Sequence, residues 1–367
     1  EAPGMGDPAM KNRHSYHLFS QRGFSLVELM VAVTIGLIIL AAVSGIFVTS
    51  KSTYTTTDSL ARLQENARFA VHYLSRDIRM AGFAGCLDDL LSVSSSLNGS
   101  SNTSQILATP IEGLNDATGT WYPSTTIPLP TNIKSGTDAI TIRSSEDLSG
   151  IEITKTMPNT SSELNVSAVT GLADGDIIMI SDCTSADIMQ ITTVQSASLK
   201  IQHAPGGSLS PGNSTQVLSK QYGPGPPASK LLKFKTATYF ITVRATDGVP
   251  VLMMQENNGA AQELIEGVED MQILYGKDTD ATPDGVPNVY LRAGQAGLTT
   301  SEHWARVHSI RVGLLMRTVA GKEEYTNSET YDVLRKSFTA PGDRHHRRVF
   351  TFTLQPRNLF PSTVPIS

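Results

Sequence analysis

A short segment near the N-terminus, Arg22-Gly23-Phe24-Ser25-Leu26-Val27-Glu28, opens an apolar run over residues 24–48. Glu28 is the only charged residue in this run. At 1.5 Å per residue, a helix of about 25 residues is long enough to cross the ~30 Å hydrocarbon core of a bilayer. A carboxylate inside such a helix costs roughly 2.5–3.5 kcal/mol on insertion scales, so another interaction has to compensate. The run is therefore predicted to be a membrane-spanning helix in which Glu28 has a specific role.

The residues before the run indicate its orientation, because they carry the basic side chains of Lys11, Arg13 and Arg22. Positive charge on this flank favours a cytoplasmic N-terminus. One alternative is a secretory signal peptide cleaved near residues 41–44. The run exceeds the ~7–15 residues of a signal-peptide core and has an acid at its N-terminal side, which argue against it. A plain signal anchor is the stronger alternative, but it would not require Gly23, Phe24 or Glu28.

The same segment resembles the processing site of type IV prepilins, which has a basic leader, a glycine, a phenylalanine and a glutamate in this arrangement. The resemblance implies that a prepilin peptidase removes residues 1–23 and that the new terminal residue, Phe24, is N-methylated. It also implies that Glu28 neutralises the N-terminal amine of a neighbouring subunit during assembly. Such an ion pair in lipid would offset the cost of both charges. Alternatively, Glu28 reaches the membrane interface or pairs with its own terminus.

The polar sequence after residue 48 is compatible with one long helix over residues 24–83. No proline occurs from residue 24 to residue 80, and Gly82 is a suitable stop signal. Apolar residues recur at steps of three and four, a pattern typical of an amphipathic helix. They are Leu60, Leu63, Ala67, Val71, Leu74 and Ile78. Residues 49–57 are the weakest part of the prediction, because Ser and Thr have poor helix propensity.

A second resemblance, to the PilW-type minor pilins of type IV pili, covers the helix end and the C-terminal third. It is carried by residues 66–70 and 74–83, followed by Cys86, and by shorter matches at 267–269, 274–276, 347–350 and 357–358. It implies an α+β pilin-like fold in which the long helix packs on an antiparallel sheet formed by residues 231–367. The implied partners are other minor and major pilins, the inner-membrane assembly platform of the pilus, and a tip adhesin.

Between these regions, residues 84–230 resemble no family and are predicted to form a large additional β-rich region. Residues 92–104 are rich in Ser and Asn and are predicted to be a loop. Strands are expected at 139–143, 150–154, 177–181, 189–194 and 199–203. Gly and Pro at residues 223–227 indicate the boundary. Beyond it, strands are expected at 234–243, 249–254, 268–275, 307–316, 331–338 and 349–354.

Composition limits the compartment and the partners. The chain has 367 residues, a net charge of −5 and a pI near 5.9. It has no basic stripe, which argues against nucleic acid as the main partner. The two cysteines, Cys86 and Cys183, are expected to form a disulfide if the C-terminal part is translocated into an oxidising compartment. Closing a loop of about 97 residues would stabilise the fold by roughly 4–5 kcal/mol. The alternative is two buried thiols.

Two polar clusters are candidate sites. Asp278 and Asp280 lie at alternate positions of a loop, Asp284-Gly285 follows them, and the three carboxylates supply the oxygen ligands that Ca²⁺ prefers. The loop departs from an EF-hand in the position of its glycine and lacks the closing glutamate, so an acidic β-turn is the alternative. Residues 343–348 could form a pH-sensitive basic patch, but a solvated turn is expected. We find no nucleophile elbow, phosphate loop or paired-histidine metalloprotease motif.

These observations predict a non-enzymatic minor pilin that helps to start pilus assembly at or near the tip. The protein is expected in the inner membrane, with a cytoplasmic N-terminus and a periplasmic C-terminal domain, and then in the pilus outside the cell. One alternative is a pseudopilin of a type II secretion system. Another is a membrane-anchored periplasmic enzyme, binding protein or adhesin whose middle region is the active part.

Overall fold

The computed structural model describes residues 23–87, 92–98, 109–117, 119–123, 130–257, 259–321 and 325–359. Two helices lie in these ranges, α1 at Leu26–Met80 and α2 at Ser301–Trp304. The strands within them are β1 Val93–Ser95, β2 Ile111–Leu114, β3 Ala139–Glu152, β4 Leu164–Asn165, β5 Ile177–Ser181, β6 Ala186–Gln190, β7 Thr193–Gln195, β8 Lys200–Gln202, β9 Lys230–Val243, β10 Pro250–Glu256, β11 Gln262–Glu266, β12 Val268–Lys277, β13 Val289–Leu291, β14 Val307–Arg317, β15 Thr330–Val333, β16 Lys336–Thr339 and β17 Arg347–Leu354.

The chain divides into two compact units, residues 1–57 and 58–367, with the border inside α1. In the first unit the apolar side chains of α1 are exposed. The Ser- and Thr-rich stretch remains helical, and several of its hydroxyls bond to carbonyls one turn earlier. Thr49 donates to the Gly45 carbonyl and Thr57 to the Thr53 carbonyl. These bonds satisfy polar side chains locally, which suits a helix in an apolar environment.

Two principal sheets form the second unit. The larger has eight strands, in which β9 pairs with β3 on one side and with β5 and β10 on the other. The smaller sheet has the order β13-β12-β14-β17 and is antiparallel. A hairpin, β15–β16, and a three-stranded sheet, β4-β8-β7, complete the set. This α+β architecture, with a long N-terminal helix and extensive sheet, is the pilin-like fold that the sequence predicts.

The main core joins the C-terminal part of α1 to both principal sheets. Its helical members, Leu63, Ala67, Leu74 and Ile78, are almost fully buried. They belong to the same cluster as Ile140 and Tyr239 of the eight-stranded sheet and Ile273, Val312 and Leu314 of the smaller sheet. The three- and four-residue spacing places these helical residues on one face, so the predicted apolar stripe is confirmed. Leu60 and Val71, at its margin, are only half-buried.

The middle region adds a second core. Ile178 and Ile180 of β5 pack with Leu164 and Ile201 of the small sheet and with Tyr222. Met179, between them in sequence, lies in a different cluster near the end of α1, because successive residues of a strand face opposite sides. The eight-stranded sheet crosses the expected boundary at residue 230, since β9 begins at Lys230 and pairs with strands from both sides of it.

Several predicted strand limits are wrong. The strands expected at 139–143 and 150–154 are largely one strand, β3, with a register irregularity between Asp147 and Glu152. The run expected as one strand at 331–338 is the hairpin β15–β16, which turns at Leu334 and Arg335. The expected loop at 92–104 contains the short strand β1, and residues 99–104 lie outside the described residues.

Candidate functional site

The N-terminus of α1 is held by a capping box formed by Ser25 and Glu28. The Ser25 backbone N–H donates to Glu28 Oε2 at 2.9 Å, and the Glu28 backbone N–H donates to Ser25 Oγ at 3.2 Å. Each side chain thus satisfies a backbone donor of the first turn that has no partner inside the helix. Such satisfaction matters most in lipid, where water cannot replace it. The arrangement also places the Glu28 carboxylate at the positive end of the helix dipole.

The capping box leaves part of the Glu28 carboxylate open. Among the described residues, Oε2 accepts the Ser25 bond and Oε1 has no hydrogen-bond donor. Phe24, the residue expected to carry the mature amine, is 86% exposed, and Gly23 has nothing near its Cα that a side chain would meet. Glu28 can therefore cap its own helix and still accept an external cation. The leader residues 1–22 lie outside the described residues.

Helix α1 is the element among the described residues that is long and apolar enough to cross a membrane. An 18-residue window has a mean hydropathy of 2.7, and none of it is buried within the protein. Its exposed residues include Ile38, Ile46 and Phe47. A continuous apolar surface of this length requires lipid or other apolar helices around it. Together with the N-terminal motif, it indicates membrane anchoring.

The C-terminal end of α1 is fixed to the sheets by polar contacts as well as by the core. Asp77 is buried, and its Oδ2 accepts hydrogen bonds from Tyr239 Oη at 2.7 Å and Lys235 Nζ at 3.1 Å. Burial, followed by the nearby Asp77 charge, raises the pKa of Tyr239. The helix ends before Gly82, which has φ +76° and donates its N–H to the Arg143 carbonyl. This is the glycine stop that the sequence predicts.

The expected disulfide is confirmed, since Cys86 and Cys183 are bonded with their Cα atoms 4.8 Å apart. Cys86 lies in the segment after α1, and Cys183 lies in the turn between β5 and β6. The bridge therefore ties the segment after the helix to the middle region. Leu87 packs beside it in a cluster that contains Met179 and Leu232.

The structure brings the three candidate calcium ligands together. One oxygen from each of Asp278, Asp280 and Asp284 lies within 4.8 Å of the others. Asp278 is buried and accepts backbone N–H groups from Asp280, Asp284 and Gly285, each at 2.9 Å. Burial alone would raise the Asp278 pKa, but these donors outweigh it and lower the pKa. Both Asp278 oxygens are thus occupied by the loop itself, and calcium binding stays a prediction.

The basic cluster at 343–348 is not a fully solvated turn, because the Arg347 side chain is buried. It donates to Glu269 Oε2 at 2.5 Å and Oε1 at 3.1 Å, and to Asp343 Oδ1 at 2.6 Å and Oδ2 at 2.5 Å. Hydrogen bonds from Arg347 lower the pKa of Asp343 to about 2. The predicted turn between two strands is present, since residues 343–346 lie between β16 and β17 and none is buried. The prediction was wrong only for Arg347, whose partner Glu269 is 78 residues away. The cluster ties β17 to β12 rather than forming a patch.

Two residues of the candidate site were not identified from the sequence. The Ser-x-x-Glu spacing of Ser25 and Glu28 is the usual signal for a capping box and could have revealed the role of Ser25. Asp77 follows Leu74 by three residues and so falls on the apolar stripe. An acid at a stripe position is a sign of a buried partner, but nothing in the sequence indicates that the partners are Lys235 and Tyr239.

Comparisons with known proteins match both ends of the chain. Residues 18–44 match the family model of the prokaryotic N-terminal methylation motif, and residues 238–358 match that of type IV pilus-assembly protein W. A solved type IV-like pilin from Thermus thermophilus aligns over 82% of this chain and 99% of its own, with 10% identity and a TM-score of 0.29. The search of curated proteins gives no match.

The methylation motif and the long apolar helix define a type IV pilin-like protein. Within that class, the chain carries a region of the type IV pilus-assembly protein W type over residues 238–358, from β9 to just beyond β17.

Proposed function

We propose that this protein is a minor pilin, a structural subunit without catalytic activity that helps to start pilus assembly at or near the tip. The observation that carries the proposal is the position of Glu28. Its carboxylate lies in the first turn of an apolar helix, with one oxygen in the capping box and the other open. A neighbouring subunit's N-terminal amine, produced by cleavage before Phe24, is a suitable cation for that oxygen.

The size of the second unit supports a position at the end of the fibre. Beside the core that packs on α1, the middle region contributes a further core of its own, centred on β5, β6 and the small sheet. This additional bulk is difficult to repeat at every position of a closely packed helical fibre. At an end of the fibre it has space. We therefore infer a few copies per pilus, bound to other minor pilins and to the first major subunits.

The proposal includes the route by which the protein reaches that position. A prepilin peptidase removes residues 1–23, and the inner-membrane assembly platform then extracts the subunit from the bilayer. Before assembly the N-terminus is cytoplasmic and residues 58–367 are periplasmic, where the disulfide forms. The tip location would also bring the middle region close to a tip adhesin. Replacement of Gly23 by Val should leave a longer precursor, because the peptidase needs close access to the backbone there.

Three variants separate the charge of Glu28 from its capping role. Glu28→Gln retains an oxygen for the Ser25 N–H but has no charge, and Glu28→Ala loses both. Ser25→Ala removes the hydroxyl acceptor and leaves the carboxylate. If assembly depends on the ion pair, both Glu28 variants should be membrane-inserted yet poorly incorporated into pili, while Ser25→Ala is incorporated. The measurement is the ratio of this protein in sheared pili to that in membranes.

The opposite pattern would contradict the proposal. Incorporation of Glu28→Gln at the wild-type level, with loss in Ser25→Ala, would assign Glu28 to helix capping alone. Incorporation of all three variants at the wild-type level would show that assembly does not depend on Glu28.

A further inference from the structure

A second candidate site lies on the face of the four-stranded sheet that points away from the main core. Leu274 and Arg311 are directly opposite each other in the β12–β14 register, and both lie on this outer face. Their sequence neighbours, Ile273 and Ile310, belong to the main core on the other face. A cavity of about 450 Å³ lies here, between β13, β14 and the β15–β16 turn. Its apolar lining on this face includes Leu274 and Leu334.

The guanidinium of Arg311 is held in a fixed orientation over this cavity. Its Cζ lies 4.0 Å from the centre of the Tyr290 ring, and its Nε donates to Thr353 Oγ1 at 3.2 Å. Tyr290 is itself held, because its hydroxyl bonds to Ser309 Oγ at 2.9 Å and its ring lies against Gly276. A Cβ at Gly276 would come within 3.0 Å of Tyr290 Cε1. The stacked guanidinium is therefore pre-oriented by groups on four strands, β12, β13, β14 and β17.

The remaining donors of this guanidinium have no partner in the part of the chain that the structure describes. Neither Nη atom of Arg311 has a hydrogen bond or a carboxylate within ion-pair distance there. The second cation of the cavity, Arg335, likewise has no ion pair among the described residues, and no acidic residue is part of the described lining. Two guanidinium groups beside an apolar floor are complementary to an anionic group on an apolar body.

The turn that carries Arg335 has an unfavourable backbone conformation. Leu334 and Arg335 have φ +50° and +70°, in the left-handed region that Asn and Gly favour. The Asp332 carboxylate accepts the Arg335 N–H at 3.0 Å and supports the turn. Leu334 packs against Gly313, where an added Cβ would meet its Cγ at 2.8 Å. Backbone strain of this kind concentrates at functional sites, and here it places a leucine and an arginine beside the same cavity.

We propose that this cavity binds an apolar group that carries a carboxylate, with the carboxylate accepting two hydrogen bonds from the Arg311 fork and a further contact from Arg335. The apolar body would lie against Leu274 and Leu334. Two sources supply such a group, a free small organic acid and an apolar residue at the carboxyl end of another polypeptide. The inference is independent of the proposed role in pilus assembly.

The test uses N-acetyl-L-phenylalanine and its uncharged amide as probes. Saturation-transfer NMR titrations on the detergent-solubilised full chain should give saturable binding of the acid and at least tenfold weaker binding of the amide. A peptide that ends in the same residue, acetyl-Gly-Gly-Phe, distinguishes the sources. Tenfold tighter binding of the peptide assigns the site to a polypeptide, and equal affinity assigns it to a small acid.

Variants on the same cavity give the second arm. Arg311→Gln should weaken acid binding at least tenfold and Arg335→Gln several-fold. Arg348→Gln removes the same charge from the other face of the sheet and should change affinity less than twofold. The double change Leu334→Asn with Arg335→Gly supplies a favourable turn sequence, so it should raise the Tm while weakening binding.

The inference is overturned if acid and amide bind equally, or if the acid shows no saturable binding up to its solubility limit. Unchanged binding in Arg335→Gln and in the turn variant would also overturn it, even if Arg311→Gln fails to fold.

Discussion

Removal of the Asp77 carboxylate should destabilise the attachment of α1 to the eight-stranded sheet. Asp77 is 6% exposed and accepts hydrogen bonds from Tyr239 and from Lys235, whose side chain is 15% exposed. In Asp77→Ala the tyrosine hydroxyl loses its acceptor, which costs about 1–3 kcal/mol. The Lys235 ammonium also loses its partner, and breaking a buried pair typically costs about 3–5 kcal/mol. Because the two effects overlap, we expect a total loss of about 3–5 kcal/mol.

The matched control is Asp58→Ala, on the same helix. Asp58 pairs with Arg62, and these side chains are 48% and 75% exposed. Exposed pairs of this kind contribute about 0–1 kcal/mol. The double variant Asp77→Ala with Lys235→Met removes the less exposed of the two charges left unpaired and should recover part of the loss. The other charge, Arg76, has a side chain that is 58% exposed, so its lost pairing should cost little. The free energy of unfolding can be measured by urea titration of the solubilised chain, using tryptophan fluorescence with the disulfide intact.

Equal effects of Asp77→Ala and Asp58→Ala, within about 0.5 kcal/mol, would refute this account of the helix end. A loss in the double variant as large as that in Asp77→Ala would show that the Lys235 charge is not the cause.

Three further outcomes are expected. Burial raises the Asp138 pKa to about 7. Relative to Asp138→Asn, the free energy of unfolding of the wild type should therefore fall by about 1.4 kcal/mol per pH unit as the pH rises from ~4 to 7, and no further above pH 7. A difference between the two proteins that does not change with pH would contradict this. Replacing Cys86 and Cys183 by Ser should lower the free energy of unfolding by about 4–5 kcal/mol. An unchanged Tm would show that the disulfide does not stabilise the fold. Millimolar Ca²⁺ should raise the Tm of wild type but not of Asp280→Ala. Equal responses of the two proteins would indicate that the acidic loop is a β-turn without a calcium site.

The long helix was predictable because its signals are local. Apolar residues at three- and four-residue steps, the absence of proline and Gly82 place its end correctly, and α1 ends at Met80. Residues 49–57 are helical despite their poor helix propensity, and hydroxyls among them donate hydrogen bonds to carbonyls of the same helix. The α+β fold class, the family and the Cys86–Cys183 bridge were likewise accessible, since they rest on motifs or on a single possible pairing.

The structural features that the sequence did not predict depend mostly on contacts between residues far apart in the chain. The β15–β16 hairpin has Leu334 and Arg335 in its turn, so the usual Asn or Gly signal is absent. The Arg347–Glu269 pair and the Asp77–Lys235–Tyr239 cluster join positions that only the folded sheets bring together. The cavity beside Arg311 needs the register of β12, β13 and β14, which no local pattern specifies. The capping role of Ser25 is the exception, since its spacing from Glu28 was visible.

The central claim is that this chain is processed as a prepilin and then incorporated as a minor subunit near the end of a pilus. Quantitative mass spectrometry of sheared pili tests both parts in one measurement. We expect an N-terminal peptide that begins at methylated Phe24, present at a few copies per pilus and far below the main fibre subunit. A chain that retains residues before Phe24, or an abundance equal to that of the main subunit, would contradict it.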